Sequence, residues 1–214
     1  MIIYEATKKE FVSDVTNELL IERLYNSYQE KIGRTSKQEI LSWENSLQRM
    51  SNVMQDKDIP HDAGVAIEFK IPNTSKRVDF IVTGNDGKRD QVVIVELKQW
   101  SEIEKITTKD ALVKTYVGGG QRQLTHPSYQ AWTYAALIKD FNQSVQDQQI
   151  QLHPCAYLHN YRKTMNDPLV DEHYKEHLLR APVFTKGEIQ KLRDFIKKYV
   201  KKGDHKKLIY QIEH

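Results

Sequence analysis

Three charges stand inside two apolar runs: Asp79 in RVDFIVTG, and Glu96 and Lys98 in QVVIVELKQW, with the turn Asn85-Asp86-Gly87-Lys88 between them. Burying a carboxylate or an ammonium without partners is expensive, so charges in strands that otherwise read Val-Ile-Phe require a counter-ion, a metal or solvent. Side chains alternate along a strand, which puts Glu96 and Lys98 on one face, Val95 and Leu97 on the other, and Asp79 on the face of Arg77 and Ile81. Paired as a hairpin, the two strands bring one Asp, one Glu and one Lys to a single spot. Two carboxylates suit Mg2+ (or Mn2+), which takes one or two protein carboxylates and leaves its other positions to water and substrate phosphate. An amine beside them can orient or deprotonate a water, so the set fits metal-assisted phosphodiester hydrolysis.

A Glu-X-Lys triplet arises by chance about once in 200 residues of ordinary composition, and the chain holds a second one, Glu68-Phe69-Lys70. What singles out Glu96 and Lys98 is the aspartate one strand earlier, the turn between them and the unbroken run Val92-Val93-Ile94-Val95 leading in. The same charges also read as an edge strand with solvated side chains and a cross-strand ion pair.

Periodicity and turn residues place the elements that must carry these groups. Apolar residues near helical spacing predict one amphipathic helix from about Lys8 to Lys31, ended by Gly33. Ser36-Lys37-Gln38-Glu39 is a capping-box sequence opening a second helix with the stripe Ile40, Trp43, Leu47, Met50 and Met54. Strands follow at about Gly64 to Ile71, Arg77 to Thr83 and Gln91 to Leu97. His126-Pro127-Ser128 opens a third helix carrying Tyr129, Trp132, Ala136 and Leu137, and a strand at about Leu152 to Leu158 comes next. The order is helix, three strands, helix, strand.

On these residues the chain resembles the PD-(D/E)XK nuclease superfamily, with Asp79 as the motif aspartate and Glu96-Leu97-Lys98 as the (D/E)XK element. Gln130 and Tyr134, four apart and so on one helix face, resemble the Gln-X-X-X-Tyr pair of its RecB-like branch. The strings IEFKIPNTSKRVDFIVTG, VVIVELKQW and HPSYQAWTYAALI look like the amino-terminal nuclease-like domain of bacterial DNA/RNA helicase proteins, over roughly residues 36–200. The resemblance implies an α/β fold with a restriction-endonuclease-like αβββαβ core, a mixed central sheet flanked by helices, and added N- and C-terminal helices. In this reading residues 1–35 pack on the core, 36–160 form it, and 161–214 are a helical extension leading toward a downstream helicase or NTPase domain.

The site so implied has Asp79 and Glu96 holding Mg2+ or Mn2+ with the Leu97 carbonyl, Lys98 activating the water, and Gln130 and Tyr134 securing the lysine and a backbone phosphate. Lys76 and Arg77 contact flanking phosphates. Glu44, beside Trp43, is the first choice for an accessory acidic ligand, and Glu68 the second. The implied substrate is nucleic acid, DNA ahead of RNA, in a setting of phage defence or DNA repair. An inactive module of the same fold that only binds nucleic acid or a partner domain is the alternative.

Composition is compatible with this and limits other classes. A net charge of +3 over 214 residues allows contact with a polyanion without demanding it. The single cysteine, Cys155, excludes an intramolecular disulfide and a cysteine-rich zinc site, and reads as a small apolar strand residue. No run approaches the roughly 20 apolar residues of a membrane span, so a cytoplasmic protein is expected. There is no Gly-X-X-X-X-Gly-Lys-Ser/Thr string, hence no nucleotide site of that type. His173 and His177 share a helix face but lack a third ligand for zinc. Gly118-Gly119-Gly120 reads as a mobile loop beside the site. At the tail, Thr185-Lys186-Gly187-Glu188 opens a helix, the run Lys197 to Lys202 is basic, and Leu208-Ile209-Tyr210 reads as a strand.

Overall fold

The apolar runs around the three charges become the middle of a mixed sheet with helices on both faces. The computed structural model describes residues 1–213. In chain order, β1 (Tyr4–Thr7) leads into α1 (Lys8–Thr16), α2 (Leu20–Lys31) and α3 (Lys37–Met54), and then come β2 (Gly64–Lys70), β3 (Arg77–Asn85) and β4 (Asp90–Lys98). Three short strands follow, β5 (Glu104–Lys105), β6 (Leu112–Val117) and β7 (Gly120–Thr125). The chain continues through α4 (Pro127–Phe141), α5 (Gln143–Asp147), β8 (Gln151–Leu158), α6 (Lys175–Arg180), β9 (Val183–Thr185), α7 (Ile189–Tyr199) and α8 (Lys207–Glu213). The main sheet has six strands in the order β1-β2-β3-β4-β8-β9. Neighbours from β1 to β4 are antiparallel, while β4, β8 and β9 run parallel.

Strands buried on both faces need apolar residues at every position, and Val92-Val93-Ile94-Val95 supplies them. Val93 and Val95 join Phe80 and Val82 in a core closed by Phe11, Leu24, Trp43, Met50 and Ile196, from α1, α2, α3 and α7. Val92 and Ile94 join Ile81 in a second core closed by Tyr134, Ile138, Val145, Leu208 and Ile212, from α4, α5 and α8. Cys155 is fully buried in β8.

Several expectations change. The single helix from Lys8 to Lys31 is two helices, because the chain turns at Asn17-Glu18-Leu19 with Glu18 in the left-handed region (φ 58°). The N-terminal segment also supplies β1, whose four residues are too few to show a period. Leu208-Ile209-Tyr210 is helical, and Leu208 and Ile209 bury against the sheet. The buried face of α4 includes Ala131, Tyr134, Ala135 and Ile138, while Tyr129, Trp132, Ala136 and Leu137 are half-buried beside it. Gly118 and Gly119 form the tight turn of the β6–β7 hairpin, where positive φ values of 58° and 81° suit residues without a Cβ. Lys197, within the basic tail, is tied to Asp56, Asp58 and Asp194.

Candidate active site

The β3–β4 ladder ends at the pair Phe80–Val95. One residue farther, the Asp79 side chain takes over from the backbone: its Oδ2 accepts the Leu97 N–H at 2.7 Å. The strands splay there, and a cleft of about 450 Å³ opens, into which Asp79, Glu96 and Lys98 project with Gln130 and Tyr134 from α4. Five residues read from sequence as catalytic are thus brought to one place. Lys76 is exposed at its mouth, and Arg77 lines it.

Glu96 is 2 % exposed, and its two oxygens differ. Oε1 accepts from Lys98 Nζ at 2.7 Å and from Gln130 Nε2 at 2.8 Å. Oε2 is buried without a hydrogen-bond donor, and the Asp79 carboxyl lies within hydrogen-bonding reach of Glu96. Gln130 also donates to the Tyr134 hydroxyl at 2.8 Å, which uses both hydrogens of its amide. Gln130 therefore secures the glutamate, and reaches the lysine only through it.

Burial and then the adjacent Glu96 carboxylate push Asp79 well above the usual carboxylate range; Lys98 and the Leu97 N–H offset only part of this. Burial pulls the Lys98 ammonium down, but Glu96 and Asp79 outweigh it and hold the group above its ordinary value. Lysine is thus charged and the aspartate is strained toward its neutral form. That is the electrostatics of a site short of positive charge.

Of the two candidate accessory carboxylates, Glu68 lines the Asp79 cleft and Glu44 does not. Glu44 lies about 100° round α3 from Trp43; with Trp43 facing the sheet, it lines a separate cleft with Val15, Glu18 and Leu20. Glu68 lines the Asp79 cleft, and it gets there by breaking the strand. Its φ of 56° is left-handed, a conformation that costs a non-glycine residue of order 1–3 kcal/mol. Ile67 packs in the first core and Phe69 in the second, although residues two apart in a regular strand share a face. Across the ladder Phe80 and Val78 divide the same way. The expected face shared by Arg77, Asp79 and Ile81 is therefore split: Ile81 faces α4, while Arg77 Nη1 donates to Tyr28 of α2 at 3.0 Å.

Arg77 is also committed to carboxylates, Glu68 at 3.0 Å and Glu39 at 2.9 Å, so it neutralises the site wall and is not a free phosphate contact. Glu39 was legible only as the far half of a capping box; Ser36 does accept the Glu39 N–H, but the Glu39 carboxylate goes to Arg77. Trp43 Nε1 donates to Glu68 Oε1 at 3.0 Å. Gln99 Nε2 donates to Ser42 Oγ and Ser46 Oγ, and Ser46 meets His159 Nε2 at 3.0 Å. This chain ties α3 to the ends of β4 and β8, and no spacing in the sequence foretold it.

Burial and the neighbouring Asp79 raise Glu68 to about 7, against the pull of Arg77. Between the ordinary carboxylate value and 7 the folded protein holds a proton that the unfolded chain has released, so stability falls as pH rises through that window. In metal-free buffer, Glu68→Gln is expected to leave stability at pH 5 nearly unchanged and to raise it at pH 8 by about 2–3 kcal/mol. Thermal melts at the two pH values check this; a variant that is less stable at pH 8 would show Glu68 to be a stabilising ion pair.

Elsewhere, a wider cleft of about 710 Å³ between α4, α5 and the start of β8 is lined by Trp132, Lys139, Asp140 and Arg180 without converging carboxylates. His177 Nε2 meets Asp110 at 2.9 Å, and His173 faces the Lys109 carbonyl. Among the described residues no three His, Cys, Asp or Glu side chains form a group that could hold a metal ion by themselves. No helix among them is long and apolar enough to cross a membrane. No protein-family model, curated protein or solved structure matches this chain.

Proposed function

We propose that this chain is a metal-dependent nuclease of the PD-(D/E)XK type, RecB-like branch, built on a restriction-endonuclease-like core and acting on DNA in preference to RNA. The observation that carries the reading is the buried Oε2 of Glu96, without a donor, on a carboxylate that neighbours Asp79, while Lys98 and Gln130 hold the other oxygen. A buried carboxylate oxygen left unsatisfied costs about 1–3 kcal/mol or more, and a divalent cation removes that cost.

The donor set fits Mg2+ or Mn2+. The cleft is lined by the carboxylates of Glu39, Glu68, Asp79 and Glu96 against the cations of Lys76, Arg77 and Lys98, and oxygen donors are what a hard cation takes. Asp79 and Glu96 would hold the ion with the Leu97 carbonyl, and Glu68, on the wall of the same cleft, would act on it through water. Bound there, the ion supplies Lewis-acid polarisation of a phosphoryl oxygen and lowers the pKa of water. Lys98 positions the attacking water and offsets charge developing on the phosphate. Gln130 fixes Glu96, and Tyr134, whose hydroxyl burial and Glu96 hold protonated, keeps a donor free for a phosphate oxygen. The likeness to helicase-linked nuclease domains supports a nuclease module working beside a motor.

The test is titration with Mg2+ and Mn2+ in the presence of single-stranded and double-stranded DNA and RNA. Cleavage of DNA that requires the ion is expected. The ion alone should raise the melting temperature, by an amount corresponding to about 2.7 kcal/mol at a hundred times its dissociation constant, and more at pH 8 than at pH 6, because protons must leave the carboxylates first. Stabilisation by the ion with no cleavage of any of the four substrates would favour a binding module of the same fold.

A further inference from the structure

The cleft sits at the carboxyl end of β4, and the three parallel strands end in register there. Lys98 pairs with Leu158 of β8, and Leu158 with Thr185 of β9. At about 4.8 Å between strands, the row from Lys98 to Thr185 spans about 10 Å. The chain leaving each strand carries cations: Lys98 itself closes β4, Arg162 and Lys163 follow β8, and Lys186 follows β9. The Lys186 N–H donates to the Tyr161 carbonyl at 2.8 Å. Arg162 Nη1 lies 3.5 Å from where a Cβ on Gly187 would stand. The segments after β8 and β9 are therefore side by side.

The loop after β8 is pinned by a buried carboxylate. Asp167, 2 % exposed, accepts from the Tyr161 hydroxyl at 2.8 Å, from the Thr164 N–H at 2.8 Å and from the Leu169 N–H at 2.9 Å. On this fixed scaffold Arg162 and Lys186 are exposed, and among the described residues their side chains make no ion pair or hydrogen bond. The carboxylate nearest Lys186 in sequence, Glu188, is already engaged by Lys163 at 2.9 Å and Lys191 at 2.8 Å. Two cations held at one edge without counter-charge contribute repulsion to the fold, and their field is directed at an anion from outside.

We propose that this edge is the track for the phosphodiester backbone of the substrate as it leaves the cleft, with Arg162 and Lys186 each contacting a phosphate. The inference rests on the nuclease reading above and adds to it the direction of the strand, from β4 across β8 to β9. At about 3.4 Å of rise per phosphate along one strand, the row covers roughly three phosphate steps. Contacts of this kind carry affinity without reading sequence.

The test uses the full chain in EDTA, so that cleavage is blocked, with fluorescently labelled single- and double-stranded DNA of several sequences. Affinity is measured against salt for the wild type, for R162A/K186A, and for K88A/R89A, whose exposed cations lie at the β3–β4 turn, the opposite end of β4. The expected result for R162A/K186A is weaker binding by about tenfold or more at low salt on every sequence. The slope of log K against log salt should flatten by about 1.4 for single strands and 1.8 for duplex. With Mg2+ present KM should rise and kcat stay unchanged, and K88A/R89A should match the wild type throughout. If the wild type binds and cuts DNA while R162A/K186A keeps the wild-type slope and affinity, the track is overturned and the nuclease reading stands. If the wild type neither binds nor cuts any of the DNAs, the nuclease reading fails and the track falls with it.

Discussion

Glu96→Gln is expected to slow cleavage by about three orders of magnitude while making the metal-free protein more stable. The substituted amide can keep its oxygen on Lys98 and Gln130, where Glu96 Oε1 now sits at 2.7 and 2.8 Å. Its NH2 then takes the place of Oε2, the buried oxygen that has no donor, and Asp79, which is within reach of this side chain, can accept from the new amide. Two carboxylates that repel become a hydrogen-bonded pair, and the raised Asp79 returns toward its ordinary range. A gain of about 1–3 kcal/mol at pH 8 follows. Catalysis moves the other way, because one of the two central carboxylates for the ion is gone; a loss of about 10³-fold, or ~4 kcal/mol of transition-state stabilisation, is the expected scale. Melting curves in EDTA and initial rates in Mg2+ measure the two effects on one sample. A buried ion pair kept only for the fold behaves oppositely, since removing one partner destabilises by about 3–5 kcal/mol. A Glu96→Gln protein that melts lower and cuts as before would sink the proposal.

Lys98→Ala separates the amine from the ion. Cleavage should fall by about 10²- to 10⁴-fold, the usual contribution of a positioned proton-transfer group. Metal-dependent stabilisation should persist, because the carboxylates remain and no longer share Glu96 Oε1 with an ammonium. Without its cation the cluster is more strongly self-repelling, so the metal-free variant should lose stability progressively as pH rises, and Mg2+ should restore it. Lys98→Arg is expected not to rescue the rate, since a planar guanidinium fork replaces a compact point charge in a cleft already closed by Gln130 and Tyr134. Unimpaired cutting by Lys98→Ala would remove the lysine from the mechanism.

The parts of this protein that could be read directly are those in which side-chain type and local period decide the answer. Val92 to Val95 reads as a strand, Asp86-Gly87 as a turn, and Pro127 after His126 as the beginning of a helix, and each is found so. From these, the alternation of the two strands and the turn between them offer Asp79, Glu96 and Lys98 to one another, and helix spacing puts Gln130 and Tyr134 on one face; that α4 brings that face to Glu96 is a matter of packing. The break between α1 and α2 was hidden because its apolar spacing runs on across Asn17-Glu18-Leu19, and β1 is too short to carry a pattern.

Glu68 marks the boundary between the two kinds of knowledge. Alternation in GVAIEFK puts its carboxylate on a regular strand face, and no local preference calls for a left-handed glutamate there; the conformation is held by Trp43, Arg77 and the two cores that claim Ile67 and Phe69 on opposite sides. The same holds for Glu44, which helix geometry turns away from the cleft, and for the alignment of Arg162 and Lys186 with Lys98, which depends on parallel pairing between strands far apart in the chain. Residue types and their local periods thus determined which groups could do chemistry and on which elements they ride. Which of them meet, which oxygen is left without a donor and which cations face outward were decided by packing, because those are properties of contacts between segments that no single segment contains.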